Sequence, residues 1–242
     1  MRFRFALPTA MLFACALTSP ACNARGAADS AATAPSHDAA PAQAPASASA
    51  PAPASGTHSA PFEKAIFAGG CFWCEETAFE GLPGVESVIS GYTGGFKKNP
   101  TYEEVSAGTT GHAESVEVTY DPSQITYSQL LDLFWHNVDP TQTNGQFCDH
   151  GTQYRSAVFY RDTTQKRLAE QSKHRIETTP QRFKEPIVTQ IVAASVFYPA
   201  EAYHQDFYKK DPIRYQSYRM GCGRDLRLTQ LWGKPGRQGH AR

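Results

Sequence analysis

The sequence predicts an α+β domain, an α/β sandwich in which helices flank one mixed β-sheet. Strand-length apolar runs interleave with stretches of helical spacing. Turn formers such as Gly69-Gly70, Pro83-Gly84 and Asp121-Pro122 separate them. Setting aside residues 1–61 leaves 181 of the 242 residues, enough for one domain with its own core.

Taken in order, Lys64 to Ala68 reads as a buried strand ended by Gly69-Gly70. A helix is expected from Cys71, with Phe72, Phe79 and Leu82 on one face and Pro83-Gly84 stopping it. Val85 to Ser90 reads as a strand, followed by the loop Gly91-Tyr92-Thr93-Gly94-Gly95. Thr101 and Glu104 form a capping box, so Tyr102 falls in a first helical turn. His112 to Tyr120 alternates, with Glu114, Val116, Val118 and Tyr120 on one face and Ser115, Glu117 and Thr119 on the other. Thr126 and Gln129 cap a helix that carries Tyr127, Leu130, Leu131, Phe134 and Val138 at helical spacing. A long loop, 139–153, leads to a strand from Tyr154 to Tyr160, a polar helix from Thr163 to Glu177 and a strand from Ile187 to Val196. An aromatic segment around Tyr203, His204 and Phe207 follows, and from Asp211 a long coil tail carries Gly221-Cys222-Gly223.

The first residues read as an export signal over 1–24: Arg2 and Arg4, an apolar run from Ala10 to Leu17, then Ser19, Ala21 and Ala24. The run is too short to span a bilayer, so a periplasmic protein is expected. Cys22 leaves lipidation open beside ordinary cleavage. Residues 25–61 are almost entirely Ala, Pro, Ser, Thr and Gly, which cannot bury enough apolar surface to offset ordering entropy, and a disordered tether is expected. The catalytic domain then occupies 62–242. With 23 basic and 23 acidic side chains, the chain gives no electrostatic reason to expect a nucleic-acid partner.

Four of the six cysteines, Cys71, Cys74, Cys148 and Cys222, lie in the folded part. Cys71 stands where a strand gives way to a helix. Unpaired N–H groups and the helix dipole there favour a thiolate, and the two preceding glycines would let a substrate approach the backbone. Cys71-Phe72-Trp73-Cys74 allows three readings: a disulfide-exchanging C-x-x-C, a zinc site completed by Cys148 and His150, or a lone nucleophile Cys71 with Phe72 and Trp73 as an apolar wall.

Five ordered motifs and a sixth segment resemble those of the peptide methionine sulfoxide reductase A family. They are Gly69-Gly70-Cys71-Phe72-Trp73, Gly91-Tyr92-Thr93-Gly94-Gly95, Asn99-Pro100-Thr101-Tyr102, Gly111-His112-Ala113-Glu114, Asp149-His150-Gly151-Thr152-Gln153-Tyr154-Arg155-Ser156, and the segment Ala200-Glu201-Ala202-Tyr203-His204-Gln205. The resemblance covers roughly residues 62 to 232. It implies a ferredoxin-like arrangement of the sheet and reduction of the S epimer of methionine sulfoxide, free or within proteins. It also implies a monomer with no metal or bound cofactor, recharged by an external thioredoxin-like thiol reductant. Carried over by position, the nucleophile falls on Cys71 and the substrate-methyl pocket on Phe72 and Trp73. The partners of the sulfoxide oxygen fall on Glu114, Tyr102 and Tyr154, with Asp149 ordering the site.

For Glu114 the alternation points the same way independently. A carboxyl on the apolar face of its strand should be desolvated, stay neutral and be able to donate a proton. Cys71 would then attack the sulfoxide sulfur, become a sulfenic acid and need a second thiol to form a disulfide. Many family members carry two cysteines in a glycine-rich tail, Gly in place of Cys74 and another residue in place of Cys148; this chain departs at each place. The expected order of resolving cysteines is Cys222, whose flanking glycines allow it to swing, then Cys148, then Cys74. A thioredoxin-like oxidoreductase using Cys71 and Cys74 and a zinc-stabilised binding module remain the alternatives.

Overall fold

The computed structural model describes residues 61–179 and 183–233. The expected export signal, Cys22 and all but the last residue of the 25–61 tether lie outside the described residues. The elements are β1 (Glu63–Gly69), α1 (Phe72–Phe79), β2 (Val85–Thr93), α2 (Tyr102–Ser106), β3 (Ala113–Tyr120) and α3 (Tyr127–His136). They continue with β4 (Gly145–Gln146), β5 (Asp149–His150), a 3-10 turn at Thr152–Tyr154, β6 (Ser156–Tyr160), α4 (Thr163–Glu177), β7 (Gln190–Ala193) and β8 (Tyr198–Pro199). Three helices close the described chain: α5 (Phe207–Lys210), α6 (Pro212–Gly221) and α7 (Arg224–Trp232).

Six strands form one sheet in the order β7-β6-β1-β3-β2-β8. The inner four are antiparallel throughout, with α1 between β1 and β2 and α3 between β3 and β6, which is the ferredoxin-like arrangement. β7 adds in parallel beside β6, joined to it through α4, and makes the sheet mixed. The central β1 buries Ala65, Ile66, Phe67 and Ala68 in succession, the pattern of a strand covered on both faces. On one face Phe67 stacks on Phe79 of α1 and Phe134 of α3, at 5.1 and 5.2 Å between ring centroids. On the other, Ile66, Ala68, Ala157 and Phe159 pack against Ala194 and Phe197.

Both capping boxes form, Thr101 with Glu104 and Thr126 with Gln129, and α4 spans the expected residues behind an Asp162 cap. Other boundaries differ. Helix α1 ends at Phe79, before Leu82, because Glu80 turns extended and Gly81 takes a φ of +75°. The strand expected over 187–196 pairs only at Gln190–Ala193. The tail from Asp211 is not a long coil. The Asp211 carboxylate accepts from the Arg214 N–H, Pro212 occupies the first turn of α6, and these start signals outweigh the glycines at 221 and 223. Gly223, at φ +69°, breaks α6 from α7 and leaves Cys222 as the α6 C-cap.

Candidate active site

Cys71 is the N-cap of α1, reached from β1 through Gly69 and Gly70. A side chain at Gly69 would sit 2.3 Å from the Glu75 carboxylate, and one at Gly70, where φ is +92°, 2.7 Å from Gln146. The double glycine therefore makes room for the Glu75 and Gln146 side chains packed beside Cys71. β3 crosses below the start of α1 and brings up Glu114, whose Oε2 accepts the Phe72 N–H at 3.1 Å. Tyr102 comes from the first turn of α2, and its N–H donates to Glu201 at 2.9 Å. The other Glu201 oxygen accepts the Tyr92 hydroxyl at 2.8 Å, so the 200–205 segment fixes the position of α2 and is not itself in the cavity. Asp149 and Tyr154 come from β5 and the 3-10 turn after it.

These groups meet in one small cavity of about 70 Å³ lined by Cys71, Phe72, Trp73, Tyr102, Glu114, Asp149, Tyr154 and Tyr218. Seven of the eight were picked out from the sequence; Tyr218 was not. It projects from α6, donates its hydroxyl to Asp149 and stands edge-on to Trp73, with ring centroids 5.9 Å apart. No local pattern marks it, because its contacts depend on α6 folding back over the site. The Trp73 ring stacks on Phe207 at 3.8 Å and its N–H donates to His204 Nδ1 at 3.2 Å. His204 is buried, which lowers its pKa, and as the acceptor of that bond it is neutral.

Burial is the largest influence on Glu114 and pushes its carboxyl up to about 8; Asp149 and Cys74 add to the rise, and the Phe72 N–H opposes it. The acid is therefore neutral near pH 7, as the strand alternation implied. Tyr102 is pushed up to about 12 by burial and by Glu114, so it too remains a hydroxyl donor. Tyr154 and Tyr218 are raised by the same cause, as is Asp149.

The expectation for Cys71 needs correction. Burial pushes its thiol up, and the neighbouring Cys74 and Glu114 add to this. Cys74 is lowered to about 6, first by its hydrogen bond to Cys71 and then by the Arg224 and Arg219 guanidiniums, against its own burial. The Arg224 and Arg219 guanidiniums thus favour charge on the Cys74 side of the pair.

Cys148 and Cys222 do not join the cavity; they form a disulfide with each other, leaving Cys71 and Cys74 free. Cys148 is exposed and Cys222 half-buried, beside an open cleft shared with Phe147 and Arg227. Among the described residues, no arrangement places Cys71 and Cys74 with Cys148 and His150 within reach of one metal ion, so the zinc reading loses its ligand set. Arg224, two residues after Cys222, is buried and donates to Glu75 (2.5 Å), the Asn137 carbonyl (2.7 Å) and the Gly69 carbonyl (3.2 Å). It ties the C-terminal helices to the strand end that presents Cys71, another role the sequence did not reveal.

A buried thiol at a helix start, a second thiol on the same turn, a neutral carboxyl in the same cavity and an accessible disulfide are the parts of a thiol-dependent oxidoreductase on an α+β scaffold. Known proteins narrow the class. A family model described as peptide methionine sulfoxide reductase matches residues 63–235. The chain is 54% identical over 171 residues to the peptide methionine sulfoxide reductase MsrA of Bacillus subtilis, covering 71% of this chain and 96% of that one. It is 51% identical over 170 residues to the protein of that name from Listeria monocytogenes, covering 70% and 96%. Among solved structures it resembles methionine sulfoxide reductase A of Corynebacterium diphtheriae, with a TM-score of 0.59, 34% identity and coverage of 65% of this chain and 78% of that one. Reduced Mxr1 from Saccharomyces cerevisiae gives a TM-score of 0.60, 32% identity and coverage of 64% and 88%. The chain belongs to the peptide methionine sulfoxide reductase family.

Proposed function

We propose that this chain reduces methionine S-sulfoxide, free or in oxidised proteins, to methionine. The observation that carries the proposal is the meeting, in one cavity, of the Cys71 sulfur, a neutral Glu114 carboxyl and the Tyr102 and Tyr154 hydroxyls, with Phe72 and Trp73 in its wall. The S–CH3 group of the substrate lies against the two aromatic rings, and the sulfoxide oxygen faces the acid and the two hydroxyls. Cys71 gives its proton across the hydrogen bond to Cys74 as its sulfur attacks the substrate sulfur. Glu114 transfers its proton to the oxygen, assisted by Tyr102 and Tyr154. The S–O bond of the substrate breaks, methionine leaves, and Cys71 holds the oxygen as a sulfenic acid. Asp149 accepts the Tyr218 hydroxyl and so orders that wall of the cavity. A low-dielectric site suits this chemistry, because proton donation to an oxygen with developing charge is strongest where water is excluded.

The sulfenic acid is then converted to a disulfide and the two electrons are restored by a dithiol protein of thioredoxin type. The exposed Cys148–Cys222 disulfide suits it for the role of contact point, being the one accessible to a large partner. We place the enzyme outside the cytoplasm, in the periplasm, as a monomer on an Ala/Pro/Ser tether. The grounds are Arg2, Arg4 and the apolar run from Ala10 to Leu17, with Cys22 as the acceptor if the tether is lipid-anchored. The test of function is to incubate the full chain with each separated sulfoxide epimer and a dithiol. Methionine should form from the S epimer and not with Cys71→Ser; equal turnover of both epimers, or none, overturns the reading. Fractionation of cells expressing the full chain tests its location, and a cytoplasmic fraction holding all of it refutes export.

A further inference from the structure

Among the described residues four cysteines fall into two pairs of opposite character: Cys71 and Cys74 are free, buried and three residues apart at one helix start, and Cys148 and Cys222 are already joined. We propose that Cys74 resolves the Cys71 sulfenic acid, so that the first disulfide of the cycle is Cys71–Cys74, formed inside the site before either tail-side sulfur takes part. The inference rests on the methionine sulfoxide reading above and adds to it the identity of the second thiol.

Reach comes first. Cys71 caps α1 and Cys74 is its third residue, with the Cys74 N–H donating to the Cys71 carbonyl at 3.0 Å. That spacing puts both sulfurs at the same corner of the helix start, close enough to act on each other's ionisation. Access comes second. Cys71 is 5% exposed and opens only onto a cavity of about 70 Å³ whose walls include Trp73 and Tyr218. A sulfenic acid formed there is beyond the reach of a sulfur on another protein. Competition comes third. With Cys148 and Cys222 bonded to each other, neither is a free thiol, whereas Cys74 is.

Atoms and electrons balance. Having accepted the Cys71 proton during attack, Cys74 is a thiol when the sulfenic acid appears. Its sulfur attacks the Cys71 sulfur, the S–O bond breaks, and the hydroxyl leaves with the Cys74 proton as water. The two electrons given to the sulfoxide have come from the pair of thiols, and an external dithiol returns them by thiol–disulfide exchange.

The test uses the full chain with Cys148→Ser and Cys222→Ser, reduced with a dithiol that is then removed, and given methionine S-sulfoxide. The expected result is about one methionine per chain, no dimedone adduct, and both Cys71 and Cys74 closed to alkylation. Adding Cys74→Ser removes the proton acceptor as well as the resolving thiol, so methionine should form more slowly, still reach about one per chain at completion, and leave Cys71 labelled by dimedone. If methionine forms in the first variant while Cys71 labels with dimedone and Cys74 still alkylates, the proposal is overturned. If no methionine forms in chains whose circular dichroism is native, the reduction reading itself fails and takes this proposal with it. Should the double substitution not fold, Cys222→Ser alone gives the same readouts, and a Cys71–Cys148 disulfide found there by peptide mapping overturns the assignment.

Discussion

Replacing Glu114 with Gln tests the central electrostatic claim. Gln is nearly isosteric and its carbonyl oxygen still accepts the Phe72 N–H, held at 3.1 Å in the present arrangement. What it cannot do is transfer a proton. With a pKa of about 8 in place of 4.5, the carboxyl is about nine-tenths protonated at pH 7, against about one part in three hundred for an ordinary one. The neutral form prevails below pH 8, so the rate of methionine formation should fall about tenfold per pH unit above it. Loss of the donor should lower the rate at pH 7 by about 10²–10⁴-fold and abolish that alkaline limb. Stability should move the other way. A carboxyl raised from 4.5 to about 8 by burial gives stability that is complete below pH 4.5 and lost as pH rises through 8, up to roughly 5 kcal/mol. Gln escapes this loss, so at pH 8 the variant should melt at a higher temperature than the parent chain. The assays are single-turnover methionine release across pH 5–10 and thermal melts over the same range. An enzyme that keeps its rate with Gln at position 114, or loses activity with an unchanged alkaline limb, refutes the reasoning.

Three further outcomes follow from the geometry. Ultraviolet thiolate absorbance of the Cys71/Cys74 pair should rise with a midpoint near pH 6 and lose that step in Cys74→Ser, and a first step near pH 9 in the intact chain counts against the resting charge on Cys74. Tyr218→Ala should open the cavity mouth and raise the alkylation rate of Cys71 at least about tenfold while the Cys148–Cys222 disulfide stays closed, and an unchanged rate means that the phenol does not shield the site. Arg224→Ala strands the buried Glu75 carboxyl and should cost about 3 kcal/mol in urea denaturation, whereas Arg224→Met with Glu75→Gln should regain most of it. Equal losses in the single and double variants refute that account.

Much of this site was legible because its determinants are local. Period-two alternation put Glu114 on the buried face of β3, and two capping boxes set the starts of the helices carrying Tyr102 and Leu130. Other features went unread because they depend on partners far away in the chain. The helix-terminus argument for an acidic Cys71 took in only the local backbone; burial in the folded core pushes that thiol up, and Arg224 and Arg219 favour charge at Cys74. The glycines at 69 and 70 signalled close approach without naming what approaches, which proves to be Glu75 and Gln146.

By itself, then, the sequence determined the fold class, the family and the chemical inventory: a sulfur at a helix start, an acid on a buried strand face and hydroxyls to assist it. Only the tertiary structure decided how the four sulfurs divide into pairs, which of them lies beside the Arg224 and Arg219 guanidiniums, and that Tyr218 and Arg224 return from the C-terminal helices to line and brace the site. Local patterns report backbone preference and the face a residue presents, whereas desolvation and side-chain contact between residues some 150 positions apart exist only once the chain has packed.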